Sequence, residues 1–120
     1  MDQIFPWPRE GYTKIANSIL RAIYRSSFNA TEMRIIFAII RMTLGWNKES
    51  KIITYSYLAK EVNLDKRNVR RAVSRLVEVK VIIKNKTGRN NMIGLNQVPT
   101  SWELWKTRGS KRVKIPLHEG

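Results

Sequence analysis

Five basic side chains stand between Asp65 and Glu78, namely Lys66, Arg67, Arg70, Arg71 and Arg75, and no acid interrupts them. Val69, Ala72, Val73 and Leu76 lie among them at i, i+3, i+4 and i+7, the spacing of one buried helical stripe. At about 100° per residue that stripe puts Arg67, Arg71, Ser74 and Glu78 on the opposite side, with Asn68, Arg70 and Arg75 at its flanks. A helix apolar on one side and cationic on the other suits an anionic partner. Its dimensions suit the major groove of double-stranded DNA. Arg67, Asn68, Arg70, Arg71 and Ser74 are therefore the candidates for reading base edges. An arginine fork matches guanine O6 and N7, and an asparagine amide matches adenine N6 and N7. Lys66 and Arg75 are expected on phosphates, and Glu78 is expected to clear the backbone or pair with Arg75. Charge runs are usually solvated surface, but here the acids are missing and a turn-helix precedes the run.

A second basic group follows in Lys84, Lys86, Arg89, Asn90 and Asn91. Basic hairpin tips meet the phosphate backbone or a neighbouring minor groove. Thr54 and Tyr55, at the start of the preceding helix, join these as candidate backbone contacts. Catalytic chemistry finds no support. The single histidine, His118, lies near the end of the chain, and the 9 carboxylates are scattered. There is no glycine-rich phosphate cradle and no carboxylate cluster for metal-assisted phosphodiester chemistry. No catalytic residue, metal or cofactor is expected, and the chain does not read as an enzyme.

The elements that must position these residues can be read along the chain. Residues 1–12 read as an extended arm, with Pro6 and Pro8 around Trp7. A first helix is expected from about Ala16 to Arg25, with Ile15, Ile19, Leu20 and Ile23 inward. Asn29 reads as an N-cap, with Glu32 as its reciprocal partner, for a central helix to about Thr43. Gly45 ends that helix and a polar turn follows at 46–49. Lys51–Thr54 reads as a short strand. Thr54 caps a helix from Tyr55 to Val62, Asn63-Leu64 makes a turn, and Asp65 caps the arginine helix of residues 65–78. Val79–Lys84 and Met92–Asn96 pair as a hairpin around a long polar tip, giving a wing at 84–92. A last helical turn is expected near 101–105. Trp46 is expected to close the core, and Trp102 and Trp105 to bury together. The succession is a winged helix-turn-helix, mostly α with a small β-hairpin wing. It occupies residues 13–105, and a basic tail follows at 106–120.

Composition sets the bounds. At 120 residues and 42% hydrophobic, the chain suits one core with tails. Its net charge is +14, from 23 Lys+Arg against 9 Asp+Glu. Residues 1–59 carry 8 basic and 4 acidic groups, and residues 60–120 carry 15 and 5, so the excess concentrates in the half with the arginine helix and hairpin. Such an excess points to nucleic acid or an anionic membrane. The longest strongly apolar run, Ile35–Ile40, is far short of the ~20 residues a spanning helix needs, and the N-terminus lacks a signal-peptide pattern. No membrane partner is expected. The absence of cysteine suits a reducing cytoplasm.

Several stretches together resemble a known family, the N-terminal, origin-binding domain of bacteriophage replication protein O. They are Gly11-Tyr12-Thr13-Lys14-Ile15 with Asn17, then Thr43-Leu44-Gly45-Trp46-Asn47-Lys48. Leu58-Ala59 with Leu64, Arg67-Asn68-Val69, Ile93-Gly94-Leu95-Asn96, and Trp102 followed by Trp105-Lys106 complete the set. The resemblance runs from about Gly11 to Trp105. It implies a sequence-specific initiator that binds repeated sites in a phage replication origin, in the bacterial host cytoplasm. It also implies recruitment of the host helicase or its loader through a separate C-terminal region, expected here only if such a region exists beyond this chain. A homodimer on paired half-sites would match two-fold symmetry in the DNA. The rival reading on the same scaffold is a transcriptional regulator of a phage or plasmid, and a further one is a module whose basic face meets an acidic protein.

Overall fold

A computed structural model describes residues 11–104. The expected arm as far as Glu10, the Trp102–Trp105 pairing and the basic tail lie outside the described residues. Within them the order is α1 (Asn17–Arg25), α2 (Ala30–Thr43), β1 (Ser50–Ile52), α3 (Tyr55–Val62), α4 (Lys66–Glu78), β2 (Ile82–Thr87) and β3 (Asn90–Leu95). Short 3-10 turns occupy Leu44–Trp46 and Pro99–Ser101.

The α2 helix is the centre of the core, with Ile35, Ile36 and Ile39 fully buried. Isoleucine is a middling helix former, so burial and a strong start hold this helix together. Its start is the expected capping box. Asn29 Oδ1 accepts from the Glu32 backbone N–H at 2.8 Å, and Glu32 Oε1 accepts from the Asn29 N–H at 2.9 Å. The second Glu32 oxygen accepts from Arg75 Nη1 at 2.9 Å, which ties the first turn of α2 to α4. Both oxygens of a buried carboxylate are thereby satisfied.

The α4 helix buries Val69, Ala72, Val73 and Leu76, the stripe its sequence spacing dictates. It ends without glycine. Lys80 takes a left-handed conformation (φ 65°), while Lys80 N donates to Val77 O and Val81 N to Leu76 O. These two bonds form a Schellman motif, and buried Val81 and Leu76 supply its apolar contact. Lys80 Nζ is anchored by Glu103 at 2.6 Å. The expected strand from Val79 therefore begins later, at Ile82.

The sheet is antiparallel with order β1-β3-β2. The hairpin departs from its expected form. Pairing runs from Ile82↔Leu95 to Thr87↔Asn90, so the long polar tip shrinks to a tight turn at Gly88-Arg89. Gly88 has φ 65°, as the first central residue of a type II′ turn requires. The polar residues 85–87 and 90–91 extend the ladder because backbone pairing does not need apolar side chains. On the other side of β3, Ser50 pairs with Gly94, and a β-carbon at Gly94 would collide with the Glu49 carbonyl oxygen. The short strand ends at Ile52 instead of Thr54.

Further expectations change, beginning with Leu20, expected inward but exposed at the edge of the α1 stripe. Gly45 does not end α2 directly but sits within a 3-10 turn, after which Asn47 reverses the chain at φ 58°. Trp46 does not close the core. It is 64% exposed and lines an open cleft of about 440 Å³ with Tyr12, Thr13 and Arg41. The buried tryptophan is Trp102, edge-on to Phe28 at 6.3 Å, with its Nε1 donating to Asn96 O at 2.9 Å. It lies just past a 3-10 turn, not within a last helical turn.

These contacts set the stability expected of two substitutions. Gly94→Ala should destabilise the domain by about 2 kcal/mol or more, because the opposing group is backbone and cannot swing aside; urea denaturation measures it. Glu32→Ala, which leaves the Asn29 cap but removes the carboxylate that accepts from the Asn29 N–H and strands Arg75, should cost about 2 kcal/mol in the same assay. Glu32→Gln keeps an acceptor for the Asn29 N–H and should lose about half as much, since Arg75 is partly hydrated.

Candidate nucleic-acid interface

Thr54 and Asp65 set the two helices that carry most of the candidate residues. Thr54 Oγ1 accepts from Tyr57 N at 3.0 Å and starts α3. At its far end Asn63 turns the chain at φ 59°, and Leu64 N bonds back to Ala59 O. Asp65 Oδ1 then accepts from Asn68 N at 2.8 Å and starts α4. A residue with a short acceptor side chain stands at each start, and an asparagine that tolerates positive φ stands at the turn. These local choices fix where the arginine helix begins and hence which residues occupy its first two turns.

Within α4, Arg67, Arg71 and Ser74 are exposed on the side away from the buried stripe. Among the described residues none of these three side chains has a hydrogen-bond or ion-pair partner. Lys66 is likewise exposed in the first turn. The other candidates are engaged. Asn68 donates its amide Nδ2 to Asp65 Oδ2 at 3.0 Å, so its side chain completes the cap. Arg70 lies over the Tyr55 ring, 5.4 Å from the centroid. Arg75, expected on a phosphate, is half-buried with Nη1 on Glu32. That partner stands 43 residues earlier in the chain, beyond the reach of local spacing, which points to Glu78.

The hairpin brings its basic residues to the same region by strand parity. Ile82 faces the core, so Lys84 and Lys86 share its side of β2. Beyond the core's edge, Lys84 Nζ donates to Tyr55 Oη at 3.2 Å and sits 5.9 Å from the ring centroid. Lys86, Arg89 and Asn90 are exposed toward the hairpin end. Asn91 is different: it pairs with Lys86, is half-buried, and its Oδ1 is enclosed without a hydrogen-bond partner. Its backbone oxygen accepts from Ile53 N at 3.1 Å, joining the hairpin to the segment before α3.

The structure thus brings Tyr55, Arg70 and Lys84 together beside the open row of Arg67 and Arg71, and turns Asn68 and Arg75 to structural contacts. Such a surface is suited to holding a linear polyanion against a helix and an adjoining strand pair. Tyr55 has a larger part than its sequence context suggests. Its position one residue after an N-cap is visible in the sequence, but its ring contacts to α4 and β2 are not. Among the described residues no helix is long and apolar enough to cross a membrane.

Comparison with known proteins gives a consistent result. The family described as "Bacteriophage replication protein O" matches residues 8–102. "Replication protein 15" of Enterobacteria phage phi80 is 31% identical over 102 residues, covering 85% of this chain and 34% of that protein. "Replication protein O" of Escherichia phage lambda is 30% identical over 100 residues, covering 83% of this chain and 29% of that protein. The chain spans about a third of the length of these relatives.

Proposed function

The chain belongs to the bacteriophage replication protein O family, and from that premise we propose that it is the DNA-binding part of a phage replication initiator. In this reading the described domain is a winged helix that binds double-stranded DNA at repeated sites of a replication origin, in the host cytoplasm. It binds and does not catalyse. The α4 helix enters the major groove, and the β2–β3 hairpin is the wing on the sugar-phosphate backbone.

The single observation that carries this reading is the exposed row of Arg67, Arg71 and Ser74, unpaired among the described residues and backed by a buried stripe. An arginine kept free in this way can form a bidentate pair with guanine, worth about 1–3 kcal/mol of discrimination. The charge excess of +14 supplies the sequence-independent attraction. Family membership favours replication over transcriptional regulation, since the scaffold alone serves both. Recruitment of a host helicase or its loader belongs to this protein only if a C-terminal region exists beyond this chain, and a homodimer would fit paired half-sites.

Fluorescence anisotropy with a site-bearing duplex and a random duplex tests the assignment of roles. Arg67→Ala and Arg71→Ala should each reduce the preference for the site about 5- to 100-fold while largely sparing random binding. Lys86→Ala should weaken both duplexes by the same factor. Equal losses on both duplexes from all three changes would remove the base-reading role of α4.

A further inference from the structure

Three elements converge on one aromatic ring. Tyr55 opens α3, Arg70 comes from the second turn of α4, and Lys84 comes from β2. The Arg70 guanidinium is 5.4 Å and the Lys84 ammonium 5.9 Å from the Tyr55 centroid, and Lys84 also donates to the Tyr55 hydroxyl at 3.2 Å. Neither cation has an acidic partner among the described residues, whereas Arg75 and Lys80 are each paired with a glutamate. We propose that Tyr55, Arg70 and Lys84 form one binding site for a backbone phosphodiester of duplex DNA, with Tyr55 as its positioning residue.

The ring face attracts the Arg70 guanidinium, while the hydroxyl at the ring's edge holds the Lys84 ammonium, so two like charges stand about one side chain without either being neutralised. The arrangement is therefore completed by an anion, and the positive end of the α3 dipole lies at the same place. A guanidinium is suited to the task because it can stack on the ring through its face while its edge N–H groups bind phosphate oxygens. Reaching a base edge instead would require Arg70 to leave Tyr55. Arg70 thus moves from the base-reading set to the backbone set, and base reading is left to Arg67, Arg71 and Ser74.

The site rests on the duplex-binding reading and deepens it. With α4 in a major groove, a strand's backbone passes along the boundary between helix and hairpin. A phosphate held between α4 and β2 sets the depth and register of the helix. Contacts of this kind position a protein without choosing a sequence.

The experiment is an anisotropy titration of the full chain and its variants against site-bearing and random duplexes over a series of salt concentrations. Arg70→Ala and Lys84→Ala should each lower the salt slope by about one and weaken both duplexes equally. Tyr55→Ala should reproduce the Arg70→Ala slope, because the cation loses its mooring. Tyr55→Phe keeps the ring under Arg70 and loses only the hydroxyl that accepts from Lys84, so its slope should stay closer to the wild type than that of Tyr55→Ala, which separates positioning from a general loss of fold. The proposal is overturned if Arg70→Ala collapses the preference between duplexes with the slope unchanged, a result that leaves duplex binding itself intact. It also fails if Arg70→Ala and Lys84→Ala change neither slope nor affinity. If the wild-type chain binds neither duplex, the duplex-binding reading falls and this site falls with it.

Discussion

Burial of Val69, Ala72, Val73 and Leu76 fixes the rotation of α4, and every exposed feature of the interface depends on that rotation. Full burial of a valine or leucine side chain contributes about 1.5–3 kcal/mol. Turning the helix by one residue would lift these groups into water and press Arg70 toward the core, where an unpaired charge costs several kcal/mol. Both effects act in the same direction, so the arginine row is held outward without any contact of its own. The Arg75–Glu32 pair adds a second constraint, because it joins the flank of α4 to the capped start of α2.

The same carboxylate closes the capping box of α2 and receives Arg75, so the start of the central helix and the placement of α4 are mechanically linked. On the other flank, Tyr55 joins α4 to α3 and to the hairpin through Arg70 and Lys84. The arginine helix is therefore gripped on both sides, once by an ion pair and once by an aromatic ring. Between those grips Arg67 and Arg71 remain open. On the proposed reading, base edges would be met by a helix whose position is set by structure, with only those side chains left to adapt.

Much of this is legible from the residues, and the boundary of legibility is physical. Asn29 with Glu32, Thr54 and Asp65 announce their helices because an N-cap is settled within three residues of chain. The α4 stripe announces itself through its period. Contacts between distant segments leave no such mark: Arg75 with Glu32, and Lys84 with Tyr55, depend on how elements pack. Trp46 misleads because its size argues for the core, while the 3-10 turn that carries it leaves it exposed. Lys80 misleads in the opposite sense, since a left-handed helix end usually shows itself as glycine. The hairpin is longer than its composition suggests, because polar residues near a turn signal resemble loop although backbone pairing carries the strands through them.

The most direct test is an NMR titration of the labelled chain with a site-bearing duplex, following backbone amides and arginine side chains. The largest changes are predicted on Arg67, Arg71 and Ser74 of α4 and on Lys86 and Arg89 of the hairpin, with exposed Tyr24 of α1 and Phe37 of α2 unmoved. Changes centred on Tyr24 and Phe37, with α4 silent, would contradict the placement of the arginine helix in the groove.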